Sequence, residues 1–206
     1  DYNNNAPQDG NSGGDVSMAS GAAVSSEDGD ITVLAPNDVQ LSLVNADSDG
    51  DLAAGDVIVT ADYAGPNPGG LSDNAGAISD SLTGTAPNGE APNIVGDQVA
   101  LRAGSGIGSG VAGDVNDLDT AVRMLAAVTE SGNINIQDIG TGLTIDTFDS
   151  LSGVTITDLA APNDGGADIT IVTRANLTVS AGDPVANDDG GDITLRAEGG
   201  GGYALI

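Results

Sequence analysis

A five-residue segment recurs along this chain, and it constrains the fold more than any other feature. Each copy begins with a small residue and a polar residue, and then alternates apolar and polar side chains. The copies are GDVSM at 14–18, GDITV at 29–33, GNINI at 132–136, ADITI at 167–171 and GDITL at 191–195. Such alternation is typical of a β-strand with one buried face. The segment therefore predicts many short strands built on one plan.

The intervals between the copies are uneven and contain turn formers such as APND at 35–38 and at 161–164. A stack of similar strands tolerates loops of unequal length, because insertions leave the stack at its corners. We therefore predict an all-β fold, a parallel β-helix (β-solenoid) with coils of roughly 20 to 25 residues. An antiparallel β-sandwich with long loops is the alternative.

Large side chains are scarce, which favours the β-helix over the sandwich. The chain has one Phe, three Tyr and no Trp, whereas a sandwich of this size is expected to have large core anchors. Stacked coils can instead bury columns of Val, Ile, Leu, Ala and Thr. We expect residues 1–206 to form a single solenoid-like domain.

Three segments depart from the repeating plan. Residues 1–13 are predicted to be an extended N-terminal segment, and residues 63–96, with PNPGG, APNG and APN, a loop insertion. Residues 114–130 predict a helical insertion, because Leu118, Val122, Leu125 and Ala126 would share one helix face. The polar residues near its start are interpreted as a helix cap rather than as metal ligands; they are Asp114, Asn116, Asp117 and Asp119.

The charge balance excludes several classes of function. Thirty-one acidic residues stand against four basic ones, all arginine, for a net charge of -27. This charge argues against nucleic acid or an anionic membrane as partner, and no segment predicts a membrane span. The chain has no His, Cys or Lys, so the usual general bases and nucleophiles are missing and we expect no enzymatic activity. The self-repulsion requires screening by salt or bound cations.

The segment NADSDGDLAAGD at 45–56 has the spacing of a calcium loop. Oxygen-bearing side chains alternate around a bend at Gly50, and such a loop can wrap a calcium ion. The candidate ligands are Asn45, Asp47, Asp49, Asp51 and Asp56. A solvated acidic turn is the alternative. The segment is similar to the calcium loop of dockerin modules, which also ends in aspartate, but Asn45 replaces the usual first aspartate and the chain has only one such loop.

A broader resemblance covers about residues 96–202. The runs LRAGSGIGSG at 101–110, DLDTAVRMLAAVTESGNINI at 117–136 and GGDITLRAEGG at 190–200 resemble repeat units of large secreted bacterial surface proteins of the filamentous-haemagglutinin type. This resemblance implies a right-handed parallel β-helix, export from the cell and a role in adhesion or matrix. It brings no catalytic motif.

These observations together predict an extracellular or cell-surface structural protein. An unsealed stack leaves backbone groups unpaired at each end, which favours association with further copies. We expect copies to meet head to tail or by strand donation, forming a filament, sheath or matrix stabilised by calcium. The alternative is an adhesin segment that binds a glycan or host surface through the loops of 63–96.

Overall fold

A computed structural model of the protein describes residues 14–50, 54–63, 75–82, 91–109, 117–157 and 166–199. These residues form 21 β-strands and no α-helix, so none of them belongs to a helix that could cross a membrane. The prediction of an all-β fold is confirmed. Two sheets contain all the strands except one short hairpin, and every pairing within the two sheets is parallel.

Sheet A contains eleven strands in two arms that converge. The first arm is β1 (Val16–Ser17), β4 (Val39–Leu41), β7 (Ala77–Asp80) and β10 (Gly106–Ile107). The second arm is β2 (Ala23–Ser25), β5 (Leu43–Asn45), β8 (Ile94–Val95) and β11 (Leu118–Ala121). Both arms pair with β13 (Ile134–Asp138), and the sheet continues through β18 (Ile169–Thr173) and β21 (Ile193–Ala197).

Sheet B contains eight strands and divides where sheet A converges. Its undivided part is β3 (Ile31–Leu34), β6 (Val57–Thr60), β9 (Gln98–Ala103) and β12 (Met124–Thr129). Two strands then lie side by side on β12, namely β14 (Leu143–Ile145) and β17 (Val154–Ile156). They are followed by β19 (Leu177–Val179) on β14 and β20 (Val185–Asn187) on β17.

The chain visits the sheets in a fixed order. From β1 to β12 it enters the first arm, continues in the second arm, and then crosses to sheet B before returning; from β13 onward it forms one strand of sheet A and then two strands of sheet B. We call one such visit to both sheets a pass. The described strands make six complete passes, from β1–β3 to β18–β20, and β21 begins a seventh. Parallel pairing between passes is not the arrangement of the antiparallel sandwich that was the alternative.

Inward-facing side chains of successive passes stack into aliphatic columns. One column in sheet A consists of Val16, Val39, Ile78, Ile107, Ile134, Ile169 and Ile193. One in sheet B consists of Ile31, Val57, Val99, Leu125, Ile145 and Val179. Away from the first and last passes these side chains are fully buried. The core is therefore narrow and can be built without large aromatic residues.

A short hairpin covers part of the outer face of sheet B. It consists of β15 (Thr147–Phe148) and β16 (Leu151–Ser152), between β14 and β17 in the chain, and it contacts β9 and β12. Its two turn residues, Asp149 and Ser150, have φ values of 46° and 66°, as a two-residue type I′ turn requires. The outward-facing Ala100 and Ala126 are buried, so both faces of sheet B are covered here.

The helix predicted at 114–130 is wrong for residues 117–130, which form β11 and β12; residues 114–116 lie outside the described ranges. Leu118 and Leu125 point into the core, while Ala126 is buried on the opposite face of its strand. Because β12 is covered on both faces, its sequence lacks the apolar–polar alternation of a half-buried strand. The remaining apolar spacing matches a helix by coincidence.

Two strands, β7 and β8, lie within the range 63–96 that was predicted to be a loop insertion. Residues 64–74 and 83–90 of that range lie outside the described residues, as does the predicted N-terminal segment 1–13. The sequence of β7, AISD, resembles the other strand starts only in its Ile78, which occupies the sheet A column.

Candidate functional site

The polar residue of the repeated segment connects one pass to the next. Asp15 Oδ1 accepts the backbone N–H of Asp38 at 3.3 Å, and Asp38 Oδ1 accepts that of Ala77 at 2.9 Å. The same contact joins Asp30 to Asp56 (2.9 Å), Asp56 to Gln98 (3.2 Å), Asn133 to Asp168 (2.8 Å) and Asp168 to Asp192 (2.8 Å). We call these six contacts the aspartate ladder. In each, the side-chain acceptor is on the earlier pass and satisfies an N–H at the start of a later strand.

The small residue of the segment allows the passes to approach closely. Gly55 has the position of this small residue in GDVIV at 55–59, which leads into β6, and a Cβ atom added at Gly55 would lie 2.6 Å from the backbone carbon and oxygen of Gly29 on the previous pass. At Gly132 the φ of 74° and a distance of 1.8 Å to the carbonyl oxygen of Ser105 exclude a side chain on both grounds. The segment thus has one residue for close stacking, one for the ladder and one for the aliphatic column.

The predicted calcium loop begins and ends at residues that already serve the fold. Asn45 is the last residue of β5, and its Oδ1 accepts the N–H of Asp47 at 3.0 Å. Asp56 lies just before β6, and its two carboxylate oxygens accept the backbone N–H and the Nε2 of Gln98 at 3.2 and 3.3 Å. Burial, together with the nearby charge of Asp30, raises the pKa of Asp56 above its ordinary value.

The middle of that loop contains a buried carboxylate oxygen that the fold does not use. Asp47 Oδ1 is buried and has no hydrogen-bond partner, and Gly50 has a φ of 72°, consistent with the predicted bend. Asp49 is exposed, and Asp51 lies outside the described residues. Among the residues that the structure describes, no three acidic side chains are grouped closely enough to hold a metal ion. Calcium binding at this loop stays a prediction.

A buried carboxylate that the sequence analysis missed lies at the end of β13. Asp138 accepts hydrogen bonds from the Thr120 hydroxyl (3.3 Å), the Thr173 hydroxyl (3.1 Å) and the N–H of Val122 (3.3 Å). Thr120 and Thr173 belong to the passes on either side. Burial raises the pKa of Asp138, and these hydrogen bonds oppose the increase. Asp138 lies two residues after the segment NINI, with Gln137 between them, and that position was the only available signal.

Asp117 and Asp119 do not cap a helix, because residues 117–130 form strands. Asp119 lies on β11 and is buried, and its Oδ1 accepts Gln137 Nε2 from β13 at 3.0 Å. The N–H of Asp119 donates to Asn93 Oδ1 at 2.9 Å. These contacts form a polar link between three passes in place of the predicted cap.

Three of the four arginines form ion pairs with other residues that the structure describes. Arg102 is buried on β9, and its guanidinium contacts both the carboxylate of Asp149, at 2.8 Å, and the carbonyl oxygen of that residue at the hairpin turn. Arg123 pairs with Asp97 at 2.6 Å on the surface, which lowers the pKa of that carboxyl. Arg196 pairs with Glu198 at 3.1 Å. The arginines are thus distributed along the stack, not gathered into one cationic surface.

The two ends of the stack expose residues of the core columns. Four large apolar side chains of the described residues are exposed: Val24 (46 %), Val179 (42 %), Ile193 (45 %) and Leu195 (40 %). Val24 is the first-pass neighbour of the buried Val44, and Val179 follows Ile145 in the sheet B column. Ile193 and Leu195 follow Ile169 and Ile171. Each exposed side chain is therefore the terminal member of an inward column.

Comparison with known proteins assigns no family. No protein-family model matches the chain, and no curated protein or solved structure matches it. The resemblances to filamentous-haemagglutinin repeats and to the dockerin calcium loop therefore stay predictions from the sequence.

Proposed function

We propose that the passes close into a parallel β-helix and that the protein is a non-enzymatic, extracellular structural subunit. Its copies stack end to end into a surface filament, sheath or matrix. One observation carries this proposal: the exposed large apolar side chains Val24, Val179, Ile193 and Leu195 all terminate inward columns. A stacked copy would bury them as the middle passes bury their equivalents.

The backbone at the two ends supports the same arrangement. Among the described strands, β1, β2 and β3 each have a neighbour on one side only, as do β19, β20 and β21. Such edge strands present unpaired N–H and C=O groups that can pair with another chain. Because the first and last passes are different surfaces, their contact is heterologous and builds an open chain of copies rather than a closed dimer.

The charge of the chain makes this assembly dependent on ions. A net charge of -27 on each copy opposes association, and the repulsion weakens as salt shortens its range. Calcium is the proposed specific contributor. Asp47, with its unpartnered buried oxygen, and Asp49 would supply ligands, together with Asp51, which lies outside the described residues.

Sedimentation and negative-stain microscopy of the full chain test the assembly. We expect large, regular assemblies of the unaltered chain that are favoured by salt or calcium. Ile193→Asp places a charge at the exposed end and should leave the chain dispersed. Gln40→Asp adds the same charge at an exposed position on β4, on the side of the stack, and should assemble normally. Dispersed monomers of the unaltered chain under all these conditions would contradict the proposal, and binding to a glycan array would then favour the adhesin alternative.

Thermal unfolding tests the calcium contribution separately. A cation that binds only the folded chain raises its melting temperature in proportion to the logarithm of its concentration. We expect calcium to raise the melting temperature of the unaltered chain and of Glu27→Gln, an exposed control, but not of Asp47→Asn. If excess EDTA changes neither the melting temperature nor the assemblies, calcium has no structural role here.

A further inference from the structure

Within the described residues, the aspartate ladder ends with an acceptor side chain before the last strand and begins with a backbone N–H donor before the first strand. Its contacts run from a carboxylate or amide oxygen on an earlier pass to an N–H on a later pass. Asp192 is the last such residue in the sheet A column, and its carboxylate is exposed. Asp15 is the first, immediately before Val16 at the start of the same column. The next N–H that continues the ladder after Asp192 must come from another strand start.

This inference rests on the proposed end-to-end stacking and specifies its geometry. We propose that a second copy of this chain occupies the C-terminal end in a single register, in which Asp192 accepts the backbone N–H of Asp15. In this register Ile193 stacks on Val16 of the next copy, and the sheet A column passes through the joint without a break.

Gly14 provides an independent reason for this register. At the same position of the segment, Cβ atoms added at Gly55 and Gly191 would lie 2.6 and 2.1 Å from the backbone of the preceding pass. At Gly14 an added Cβ would meet nothing within 4 Å, and φ is not positive. Nothing within the described chain requires a glycine there. In the joint, Gly14 would lie against the backbone of Gly191 of the preceding copy, as Gly55 lies against Gly29.

Cationic groups are found at one end of the stack only. The ionisable residues of the described first pass are all acidic: Asp15, Glu27, Asp28 and Asp30. The last two passes carry Arg174 and Arg196 beside six acidic residues, and Arg196 already pairs with Glu198. Contact between two first passes would bring only like charges together, so partial compensation of the first-pass charge is available only at the other end.

The two sheets would not end at the same height where two copies meet. Sheet A has seven levels, from β1 to β21, and sheet B has six, from β3 to β19 and β20. A copy joined in the proposed register therefore leaves space in sheet B for one further strand beyond β19 and β20. The exposed Val179 faces this space.

Engineered disulfides can test the register, because the chain has no cysteine. Ser17 and Thr194 are exposed and lie in one outward column. In the joint their Cα atoms would be about 4.8 Å apart, which a disulfide can bridge. Ser17→Cys with Arg196→Cys is the control pair, which would face each other only if the register were shifted by two residues. In the proposed register their Cα atoms would be about 8 Å apart, too far for a disulfide. Within one chain Ser17 and Thr194 are six levels apart, so any bond joins two copies.

We expect mild oxidation of assembled S17C/T194C to give a series of covalent oligomers, at least about tenfold more than S17C/R196C or either single variant gives. Filaments that cross-link through the 17/196 pair, or through neither pair, would overturn the register and leave the proposed function standing. If neither the unaltered chain nor any variant assembles, the proposed function itself is contradicted.

Gly14→Val gives a second measurement that does not use cysteine. The dispersed chain should keep its melting temperature, because a Cβ atom at this position meets no atom of the described residues within 4 Å. The concentration needed for assembly should rise by at least about tenfold, because the side chain would be forced against the backbone at the joint. Assembly at an unchanged concentration would contradict the register.

Discussion

The middle of the stack and its two ends are built from the same repeated segment, yet only in the middle are the apolar side chains of the segment buried and its small residue closely packed. Ile134 and Ile193 occupy one column, but Ile134 is fully buried between two passes while Ile193 is 45 % exposed. A Cβ atom added at Gly55 would lie against the backbone carbonyl of Gly29, whereas one added at Gly14 would meet no atom of the described residues within 4 Å. The difference shows that burial in this fold depends on neighbouring passes and not on the kind of residue.

Truncation of one column at two heights should give the largest contrast. Ile134→Ala removes a fully buried side chain and is expected to lower the free energy of unfolding by about 2–5 kcal/mol. Ile193→Ala should lower it by less than about 1 kcal/mol in the dispersed chain, because its side chain is already partly hydrated. Urea unfolding at low protein concentration measures both. Equal losses would mean that the end is covered in the isolated molecule.

Addition of a methyl group at the glycine that precedes a strand should give the next largest difference in stability between the middle and the end of the stack. Gly55→Ala forces a Cβ against the backbone of Gly29 and is expected to cost about 1–3 kcal/mol of unfolding free energy. Gly14→Ala should be nearly neutral in the dispersed chain, because the space is open. Thermal melts of the two variants side by side provide the measurement. A neutral Gly55→Ala would contradict the close stacking of the first two passes.

The arginines extend the comparison to charge. Arg102→Met leaves Asp149 without its cation and loosens the hairpin from sheet B. Since the Asp149 side chain is 28 % exposed, we expect the free energy of unfolding to fall by about 1–2 kcal/mol, less than for a fully buried pair. Arg196→Met removes an exposed pair and should cost less than about 1 kcal/mol. Amide hydrogen exchange within 147–152 should accelerate in the first variant only. Unchanged exchange there would show that the ion pair does not hold the hairpin.

The smallest expected effect concerns pH and the buried Asp138. Its pKa is raised above the ordinary 3.8 by burial, so the unfolded chain loses this proton at a lower pH than the folded chain does. Its contribution to stability therefore falls as pH rises from 3.8 through the folded pKa. Asp56, Asp80 and Glu130 are shifted in the same direction. Moderate acidification from neutral pH should consequently raise the melting temperature.

Asp138→Asn removes one of these groups and should flatten the rise, while the exposed control Glu27→Gln should not. The pKa values of Asp97 and Asp146 are lowered, by hydrogen bonds from Arg123 and from the N–H of Thr147 respectively. Their contribution is lost only below 3.8, where the melting temperature should fall again. An unaltered pH profile in Asp138→Asn would mean that another carboxyl controls it.

The strand starts could be predicted from sequence because one segment encodes several constraints locally. Ile31, Ile134, Ile169 and Ile193 each begin a strand inside a predicted segment. The alternation of these segments reflects one buried face, which is a property of a single strand and needs no knowledge of its neighbours.

The helix at 117–130 was wrongly predicted, and one contact of the predicted calcium loop was missed, because both depend on distant parts of the chain. Ala100 and Ala126 are buried on the outer face of sheet B, whose strands β9 and β12 the hairpin 147–152 contacts, and β12 therefore lacks the alternation of a half-buried strand and was predicted to be a helix. Likewise, the loop spacing at 45–56 could not reveal that Asp56 hydrogen-bonds Gln98 on the next pass. Both contacts join residues more than twenty positions apart.

The parallel register between passes has a consequence for the size of the molecule. Each pass adds about one strand spacing, about 4.8 Å, to the height of the stack, and its contacts are made with the two adjacent passes. Duplication or deletion of a whole pass would therefore change the height by a fixed increment while the cross-section stayed the same. Related subunits of different length would then differ in height by whole multiples of one strand spacing.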